Sequence, residues 1–258
     1  MLYGICNLSI APLRAVGSHV SEMTNQILFG EHFTILENDG DWSKIKLAFD
    51  DFEGYISNNQ FATIAKDTFE EIATQNIACS SEIVDFVINS KNELTTICIG
   101  SHLPLLKDGK LQIAATVYDY KSKIFNSQLP KSAIVKMAFT FLNCPYLWGG
   151  KSPFGIDCSG FTQMVYKLCG YKLFRNAKEQ AAQGEVLSFI EESEPGDLAF
   201  FDNEEGEIIH VGIILNNYNI IHVHGKVRID TLDHSGIFNL DTQKHTHKLR
   251  VIKRIISL

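Results

Sequence analysis

The sequence has little of what several classes of protein require. Its 258 residues contain no run of about 18 apolar residues, the length that a membrane-spanning helix needs. Basic residues do not exceed acidic ones, because 23 Lys and Arg face 30 Asp and Glu, so we expect no nucleic-acid partner. The 6 cysteines form no C-x-x-C pair, which disfavours both a structural zinc site and a dense disulfide framework.

The first residues give no targeting signal. The segment MLYGICNLSIAPLR is mildly apolar but has neither a basic start nor a long apolar stretch, so we expect no secretory signal peptide. Together with cysteines that show no pairing pattern, this favours a cytoplasmic protein with reduced thiols. A periplasmic or otherwise exported protein whose leader has been removed would show the same sequence features, and that alternative stays open.

Short strands dominate the first half of the chain. HFTILE and WSKIKLAF flank the turn NDGD, which is typical of a β-hairpin, and DFEGYIS is a further strand candidate. These elements predict a small barrel over residues 1–66. Residues 67–125 begin with a helix-compatible stretch and continue with ELTTICIG and LQIAATVY, which predict a second, reduced barrel or a β-rich bridge.

The second half, residues 126–258, changes to helices followed by strands. An apolar face over 133–141 predicts a helix with Pro130 in its first turn, and a similar face over 161–169 predicts a helix closed by Gly170. Four strand candidates follow: DLAFFD, IIHVGIIL, NIIHVHG and KVRID. This order predicts an α+β domain with an antiparallel sheet.

The stretch GIDCSGF places one cysteine in an unusual setting. If the second helix begins after Asp157, this aspartate caps it and Cys158 lies in the first turn. The partial positive charge at a helix start favours a thiolate, and a thiolate is a nucleophile. The sequence therefore predicts a catalytic Cys158, although a structural role is the alternative for this residue taken alone.

A nucleophilic cysteine needs a base, and the chain has 9 histidines. Most of them, His247 included, lie in polar contexts typical of the surface. His210 and His222 lie in apolar strands, where an imidazole without a role or a partner is unfavourable. A turn at Leu215–Asn217 would set these two rings opposite each other on one face, which Gly212 would keep open for a ligand. This pattern predicts a Cys-His-His arrangement in which the second ring fixes the tautomer of the first.

A metal site is the competing interpretation of the strand histidines. His210, His222 and His224 would be its ligands, but a pair two residues apart plus one histidine on the neighbouring strand lacks the spacing of structural zinc sites. No cysteine pair supports a zinc site either. We therefore expect no metal ion and no cofactor.

From residue 130 to its end, the sequence resembles the NlpC/P60 cysteine peptidases of bacterial cell-wall metabolism. The similar stretches, in order, are PYLWGG, DCSGF, R-x4-Q (Arg175 to Gln180), PGDLAFF, HVGIIL and IIHVHGKVRI. The first half resembles the bacterial SH3-like barrels that often precede this domain, on the residues SEMTNQILFGEHFTIL, GDWSKIKL and GYI. The resemblance implies a papain-like catalytic domain preceded by one or two small SH3-like β-barrels.

Carried over by position, the resemblance implies roles for individual residues. Cys158 is implied as the nucleophile, His210 as the general base and His222 as the polar member that orients His210. Asp157 and Ser159 match positions that hold the free amine of an N-terminal L-Ala in the branch that cuts murein peptides.

Three further substrate-binding residues are implied by the same resemblance. Tyr146 matches an aromatic residue that lines the site near the nucleophile. Glu22 and Tyr55 match barrel residues that help enclose the amino end of the substrate, because in such proteins the first barrel narrows the active site.

The function implied by the resemblance is that of a cysteine endopeptidase. It would hydrolyse the γ-D-glutamyl–diamino acid bond of peptidoglycan-derived peptides and would require a free N-terminal L-Ala, as suits murein peptide recycling. Two alternatives stay open: a cell-wall peptide-binding protein with an inactive catalytic domain, and a related acyltransferase or amidase that uses the same Cys-His chemistry. The sequence decides neither between diaminopimelate and Lys as the third substrate residue nor the oligomeric state.

Overall fold

The computed structural model describes residues 1–216 and 218–256, which form two compact units. The first unit comprises Met1–Ser127 with Trp148–Pro153, and the second comprises Gln128–Leu147 with the chain from Phe154 onward. The division into residues 1–66, 67–125 and 126–258 stays a prediction. Within the described residues, no helix combines the length and the apolar character that crossing a membrane requires.

Seven antiparallel strands open the first unit and hydrogen-bond in the order β3-β2-β6-β5-β4-β1-β7. Their bounds are β1 (Leu2–Ile5), β2 (Ile10–Arg14), β3 (Met23–Leu28), β4 (His32–Asp39), β5 (Trp42–Leu47), β6 (Glu53–Ser57) and β7 (Ala62–Ile64). Ile45 and Leu47, which alternate with outward residues along β5, pack in one core with Phe33 and Ile56. The SH3-like barrel and its β4–β5 hairpin are confirmed.

A helix and a second sheet complete the β structure of the first unit. Their bounds are α1 (Lys66–Thr74), β8 (Cys79–Ser80), β9 (Val84–Asn89), β10 (Leu94–Cys98), β11 (Lys110–Ile113), β12 (Thr116–Asp119) and β13 (Ile124–Phe125). The sheet has the order β10-β9-β12-β11, and β13 pairs with β8. Its buried residues Val87 and Ile97 share a core with Ile5 and Phe29, so this β-rich part packs on the residues that border the barrel.

The second unit contains both predicted helices. In α2 (Ser132–Phe139) the N-cap is Lys131, so Pro130 precedes the helix instead of lying in its first turn as predicted. The very short strand β14 (Lys151–Ser152) belongs to the first unit, whereas β15 (Gly155–Ile156) and α3 (Cys158–Leu168), which begins directly after Asp157, belong to the second. The chain leaves α3 through Gly170 at φ 83°, a conformation that favours glycine. Nearly every side chain of α3 is buried, so this helix is the central element of its unit.

Six strands of the second unit form a closed ring. After α4 (Ala177–Gln180) come β16 (Glu185–Leu187), a 3₁₀ turn (Ile190–Glu192), β17 (Leu198–Asp202), β18 (Ile208–Ile214), β19 (Asn219–His224), β20 (Lys226–Asp233), β21 (Gly236–Asn239) and β22 (Lys244–Arg254). The order is β16-β22-β17-β18-β19-β20-β21, and β21 also pairs with β22. The predicted strands β17 to β20 are confirmed as consecutive neighbours, whereas β21 and β22, which complete the ring, were not predicted.

The inner face of this ring carries the two strand histidines. Ile214 on β18 and Ile220 on β19 belong to the cluster of apolar residues inside the ring. Because side chains alternate along a strand, His210 and His222 project from the same face as these isoleucines. The predicted shared face of the two histidines is confirmed.

The hairpin between β18 and β19 has a different register from the one predicted. Gly212 pairs with His222, so His222 lies diagonally across from His210 instead of directly opposite. The predicted turn at Leu215–Asn217 is therefore displaced by one residue, and Asn217 itself lies outside the described residues. The face is nevertheless correct, because a displacement of this kind moves the pairing by two positions and the side-chain period is two.

Candidate active site

The start of α3 has the cap that the sequence predicts. The Oδ1 atom of Asp157 accepts a hydrogen bond from the backbone N–H of Gly160 at 2.7 Å. Cys158 is the first helical residue and is partly exposed, whereas the other five cysteines are buried. Cys158 is therefore the one thiol of the chain that a substrate can approach.

The sulfur of Cys158 lies against strand β18. Burial raises the pKa of the Cys158 thiol, and the nearby backbone N–H groups of Val211 and Ser159 act in the opposite direction. Since Val211 follows His210 directly, the helix start and the predicted base belong to one site.

A buried arginine fixes the first turn of α3. The guanidinium of Arg175 donates from Nη1 to Oδ1 of Asp157 at 2.9 Å and from Nη2 to Oδ2 at 2.6 Å, and Nη1 also reaches the Ser159 hydroxyl at 3.0 Å. Gln180 donates to the carbonyl of Ser159 at 2.9 Å and accepts from the Thr162 hydroxyl at 2.7 Å. The R-x4-Q motif therefore holds the segment that presents the nucleophile.

A hydrogen-bonded chain connects His210 to a carboxylate that the sequence analysis did not single out. Nε2 of His210 lies 2.9 Å from Nδ1 of His222, and Nε2 of His222 lies 3.0 Å from Oδ2 of Asp230. All three side chains are buried. The predicted contact between the two histidines is confirmed, and Asp230 is the residue that was missed.

Asp230 is held as an anion by its neighbours. Arg228 donates to it from Nε at 2.7 Å and from Nη2 at 2.9 Å, and the backbone N–H of Leu240 donates at 2.9 Å. Burial works to raise the pKa of Asp230, but the hydrogen bonds from His222 and Arg228 outweigh burial and keep the pKa below its usual range.

The protonation of both rings follows from this anion. A carboxylate only accepts, so Nε2 of His222 carries a proton and its Nδ1 carries a lone pair. Nε2 of His210 must then donate to that lone pair, which leaves Nδ1 of His210 unprotonated. Asp230 thus fixes His210 in the tautomer that can receive a proton from the thiol.

The thiol and the imidazole rest as neutral groups. Desolvation of the sulfur, followed by the negative charge of Asp157, raises the pKa of the Cys158 thiol to about 12. Burial, followed by the positive charge that His247 and His222 would carry, holds the pKa of His210 well below its usual range. At Cys158, desolvation therefore opposes the favourable potential of the helix start that the sequence indicates.

Gly212 leaves space for the side chains of Ile220 and His222 and not for a ligand. A Cβ atom at this position would lie 2.7 Å from Cδ1 of Ile220 and 2.9 Å from Cβ of His222. The prediction that Gly212 keeps the face open for a ligand is wrong, because His222 and Ile220 occupy the space above it.

Tyr146 lies close to the helix start, as predicted. Its backbone bridges to Ile156, and its N–H donates to the carbonyl of Gly225 at 3.0 Å. Burial, followed by the negative charges of Cys158 and Asp157, raises the pKa of its hydroxyl, so Tyr146 shares their electrostatic environment. Its contact with substrate stays a prediction, as do those of Asp157 and Ser159.

Glu22 and Tyr55 lie in the first unit. Glu22 accepts a hydrogen bond from Nε1 of Trp148 at 2.6 Å. Tyr55 is half-buried on β6, where it pairs with Lys44 and Arg14 of the neighbouring strands. Their contacts with substrate stay predictions.

One histidine has a position that its sequence context did not indicate. The ring of His247, on β22, stacks on that of His210 with centroids 4.1 Å apart. Its predicted surface position is wrong, because β22 closes the ring of strands and carries His247 to the cluster. The ring nitrogens of His210, His222 and His247 could hold a metal ion, whereas His224, the third ligand in the zinc interpretation, does not join them.

A thiol at a helix start, beside an imidazole whose tautomer is fixed by a buried acceptor chain on a sheet, defines a cysteine hydrolase of the papain type. Residues 143–248 match the NlpC/P60 family, and residues 13–61 match the bacterial dipeptidyl-peptidase SH3 domain.

Similar proteins agree with both matches. A γ-D-glutamyl-L-lysine dipeptidyl-peptidase of Bacillus subtilis is 30% identical over 212 residues, covering 76% of this chain and 71% of that protein. A protein of the same name from Bacillus cereus is 27% identical over 233 residues, covering 80% and 68%. The crystal structure of an NlpC/P60 family protein from Bacillus cereus shares the fold, with a TM-score of 0.82 over 99% of this chain and 100% of that one at 18% identity. The chain therefore belongs to the NlpC/P60 family, and it is a cysteine peptidase.

Replacing Arg175 by Met should destabilise the second unit by about 3–5 kcal/mol, because the buried Asp157 carboxylate would lose its charged partner. Chemical unfolding measures the change in the free energy of unfolding. Lys178→Met is the matched control: Lys178 and Glu207 are both exposed and lie 3.7 Å apart, so its loss should change stability by less than about 1 kcal/mol. Equal losses in the two variants would contradict the role given to Arg175.

Replacing Asp230 by Asn should lower kcat by about 10²-fold with little change in KM, because the tautomer of His210 is no longer fixed while no substrate contact is removed. Steady-state kinetics measures kcat and KM separately. Asp241→Asn is the control, since Asp241 binds the same Arg228 from an exposed position. An unchanged kcat in Asp230→Asn would show that the chain does not serve catalysis.

Alkylation of Cys158 by iodoacetamide should accelerate steadily from about pH 6 to about pH 9, because a thiol with a pKa raised to about 12 gains thiolate throughout that range. Peptide-level mass spectrometry separates this residue from the buried cysteines. A rate that is already constant below about pH 7 would indicate a preformed thiolate–imidazolium pair instead.

Proposed function

We propose that this cysteine peptidase hydrolyses the γ-D-glutamyl–diamino acid bond of peptidoglycan-derived peptides that carry a free N-terminal L-Ala. Family membership and the names of the similar proteins support hydrolysis of peptidoglycan peptides. A dipeptidyl-peptidase releases two residues from a free amino end, and this pattern matches a requirement for an unblocked L-Ala.

The observation that carries the proposal is the proton chain behind the nucleophile. Asp230 and His222 hold His210 with an unprotonated Nδ1, and the Cys158 sulfur lies near the backbone N–H of Val211, the residue that follows His210. A neutral thiol beside a neutral acceptor is competent for attack if the proton moves as the S–C bond forms.

In the first half of the reaction, the sulfur of Cys158 attacks the γ-carbonyl carbon of D-Glu while its proton passes to Nδ1 of His210. The oxyanion that forms is stabilised by the backbone N–H of Cys158 at the start of α3. His210 then gives the proton to the departing amine, and the diamino acid leaves a thioester behind.

In the second half, water attacks the thioester and His210 accepts a proton from it. The C–S bond breaks, the sulfur regains a proton, and the dipeptide is released with a free γ-carboxylate. Throughout both halves His222 keeps its proton on Nε2, because Asp230 remains a carboxylate.

Recognition of the amino end is assigned to Asp157 and Ser159. Asp157 precedes the nucleophile directly, and an ammonium group bound there would lie on the amino-terminal side of the scissile bond. Arg175 binds both oxygens of Asp157, and Gly160 and Ser159 also donate to Oδ1, so a substrate ammonium would interact with this carboxylate at Oδ2 and share it with the guanidinium. Glu22 and Tyr55 are the further predicted contacts of the amino end.

We place the reaction in the recycling of wall fragments, in the cytoplasm. The free thiol form of all six cysteines agrees with a reducing compartment. Release of products from intact sacculi would argue against recycling as the role.

Mass spectrometry of products from four tripeptides tests the substrate. L-Ala-γ-D-Glu-diaminopimelate and L-Ala-γ-D-Glu-L-Lys should each yield the free dipeptide and the free diamino acid, whereas the N-acetylated form of each should be cut at least about 10²-fold more slowly, because it lacks the charge that Asp157 would bind.

Cys158→Ala is the control for contaminating activity and should release no product. Equal cleavage of free and acetylated peptides would overturn the requirement for a free amine. Cleavage at another bond, or transfer of the acyl group to an added amine instead of water, would overturn the proposed reaction.

A further inference from the structure

Three histidines from three strands converge on one small volume of the second unit. One ring nitrogen from each of His210, His222 and His247 lies within 4.8 Å of the other two. The proposed hydrolysis uses only His210 and His222. His247, which stacks on His210, has no part in that chemistry.

We propose that His210, His222 and His247, the three-histidine cluster, bind a zinc ion and that the bound ion switches hydrolysis off. Neutral imidazoles are ligands that zinc prefers, and three of them with one position left for water form a familiar coordination set. Binding of the ion rests on the geometry of the cluster alone, whereas its inhibitory effect rests on the proposed function.

The distances suit zinc after a small adjustment. Zinc bonds to nitrogen of about 2.0–2.1 Å in a tetrahedron set the nitrogens about 3.4 Å apart. The nitrogens of His210 and His222 are already 2.9 Å apart, and the widest separation in the cluster is at most 4.8 Å. Because an imidazole lone pair lies in the plane of its ring, the His247 ring must also turn out of its stack on His210. His247 is only partly buried, so its side chain is the one that can turn and close the remaining distance of up to about 1.4 Å.

The outer partner that a zinc-binding histidine usually has is already in place. Nε2 of His222 donates to Asp230 at 3.0 Å, and this bond directs Nδ1 of His222 toward the cluster. A carboxylate on the far nitrogen fixes the ring and strengthens its basicity toward a metal. The same bond that orients the base for hydrolysis therefore prepares His222 as a ligand.

Zinc binding would remove the acceptor that hydrolysis needs. Nε2 of His210 carries the proton shared with His222, and a metal bond at Nε2 requires that nitrogen's lone pair. The proton moves to Nδ1 of His210, so the ring stays neutral but now presents N–H to the Cys158 thiol. A protonated Nδ1 cannot take the thiol proton, whereas His222 and His247 bind through lone pairs without losing a proton.

Zinc titration of metal-stripped protein, with a chromogenic chelator as competitor, tests binding without any need for activity. Cys158→Ala serves as the parent, because it removes the partly exposed thiol as a zinc ligand. We expect one zinc ion per chain, and at least about 10-fold weaker binding when His247→Phe is added. Phenylalanine retains a ring to stack on His210 but offers no ligand atom.

His245→Phe in the same parent is the matched control. His245 lies two residues earlier on β22 and pairs with Asp233 at 2.8 Å on the surface, away from the three-histidine cluster. Its replacement should leave zinc affinity unchanged.

Inhibition is then measured with the native Cys158. Zinc should abolish hydrolysis by the metal-stripped enzyme, and a chelator should restore it. Relative to its own metal-free rate, His247→Phe should need at least about 10-fold more zinc for the same inhibition. His245→Phe should be inhibited as the parent enzyme is.

The two proposals fail in different ways. Absence of zinc binding by Cys158→Ala, or equal affinity with and without His247, would overturn the zinc site, and unchanged or faster hydrolysis with zinc bound would overturn the inhibition; each leaves the proposed function intact. A metal-free enzyme that cuts none of the tripeptides would overturn the proposed function, while the titrations would still decide whether the cluster binds zinc.

Discussion

The site depends on one buried carboxylate. Asp230 has no exposed surface, and a charge in that position is unfavourable unless it is compensated. Arg228 and a backbone N–H compensate it, and the remaining acceptor capacity goes to His222. Because a carboxylate cannot donate, the direction of each following hydrogen bond is determined. A buried side chain thereby decides which nitrogen of His210 carries the lone pair.

The two halves of the site have different physical origins. The nucleophile is positioned by residues near it in sequence. Asp157 caps α3, so Cys158 lies at the first position of the helix. Arg175 and Gln180 hydrogen-bond to the first turn and hold it. The base is prepared by strand pairing, since His210, His222 and Asp230 lie on the three consecutive strands β18, β19 and β20 and meet only when these strands pair. Desolvation inside this arrangement keeps thiol and imidazole neutral, so the proton must move during attack.

The arrangement around the nucleophile at the start of α3 could be predicted from sequence, whereas the arrangement of the histidines on the strands could be predicted only in part. The cap at Asp157 and the end of α3 at Gly170 are each determined by the residues next to them in sequence, so both predictions were confirmed. The common face of His210 and His222 follows from the period of a strand, but their register depends on a turn whose length the composition does not fix.

The missed residues share a cause. Asp230 reads as an ordinary polar residue in KVRID, and its role appears only when β20 lies beside β19 and the ring of His222 points at it. His247 lies on a strand with many polar residues, and its place depends on β22 pairing with β21 to close the ring. Alternation in KVRID places Asp230 on the face of Lys226 and Arg228, opposite Val227 and Ile229, so the local pattern gave no signal that Asp230 faces inward.

The protonation of the two histidine rings is the most direct measure of this account. In protein labelled with ¹⁵N at histidine, long-range proton–nitrogen correlation spectra near neutral pH report which ring nitrogens carry hydrogen. The account requires His210 and His222 each to be protonated at Nε2 and unprotonated at Nδ1. A proton on Nδ1 of His210, whether as the other neutral tautomer or as imidazolium, would contradict it.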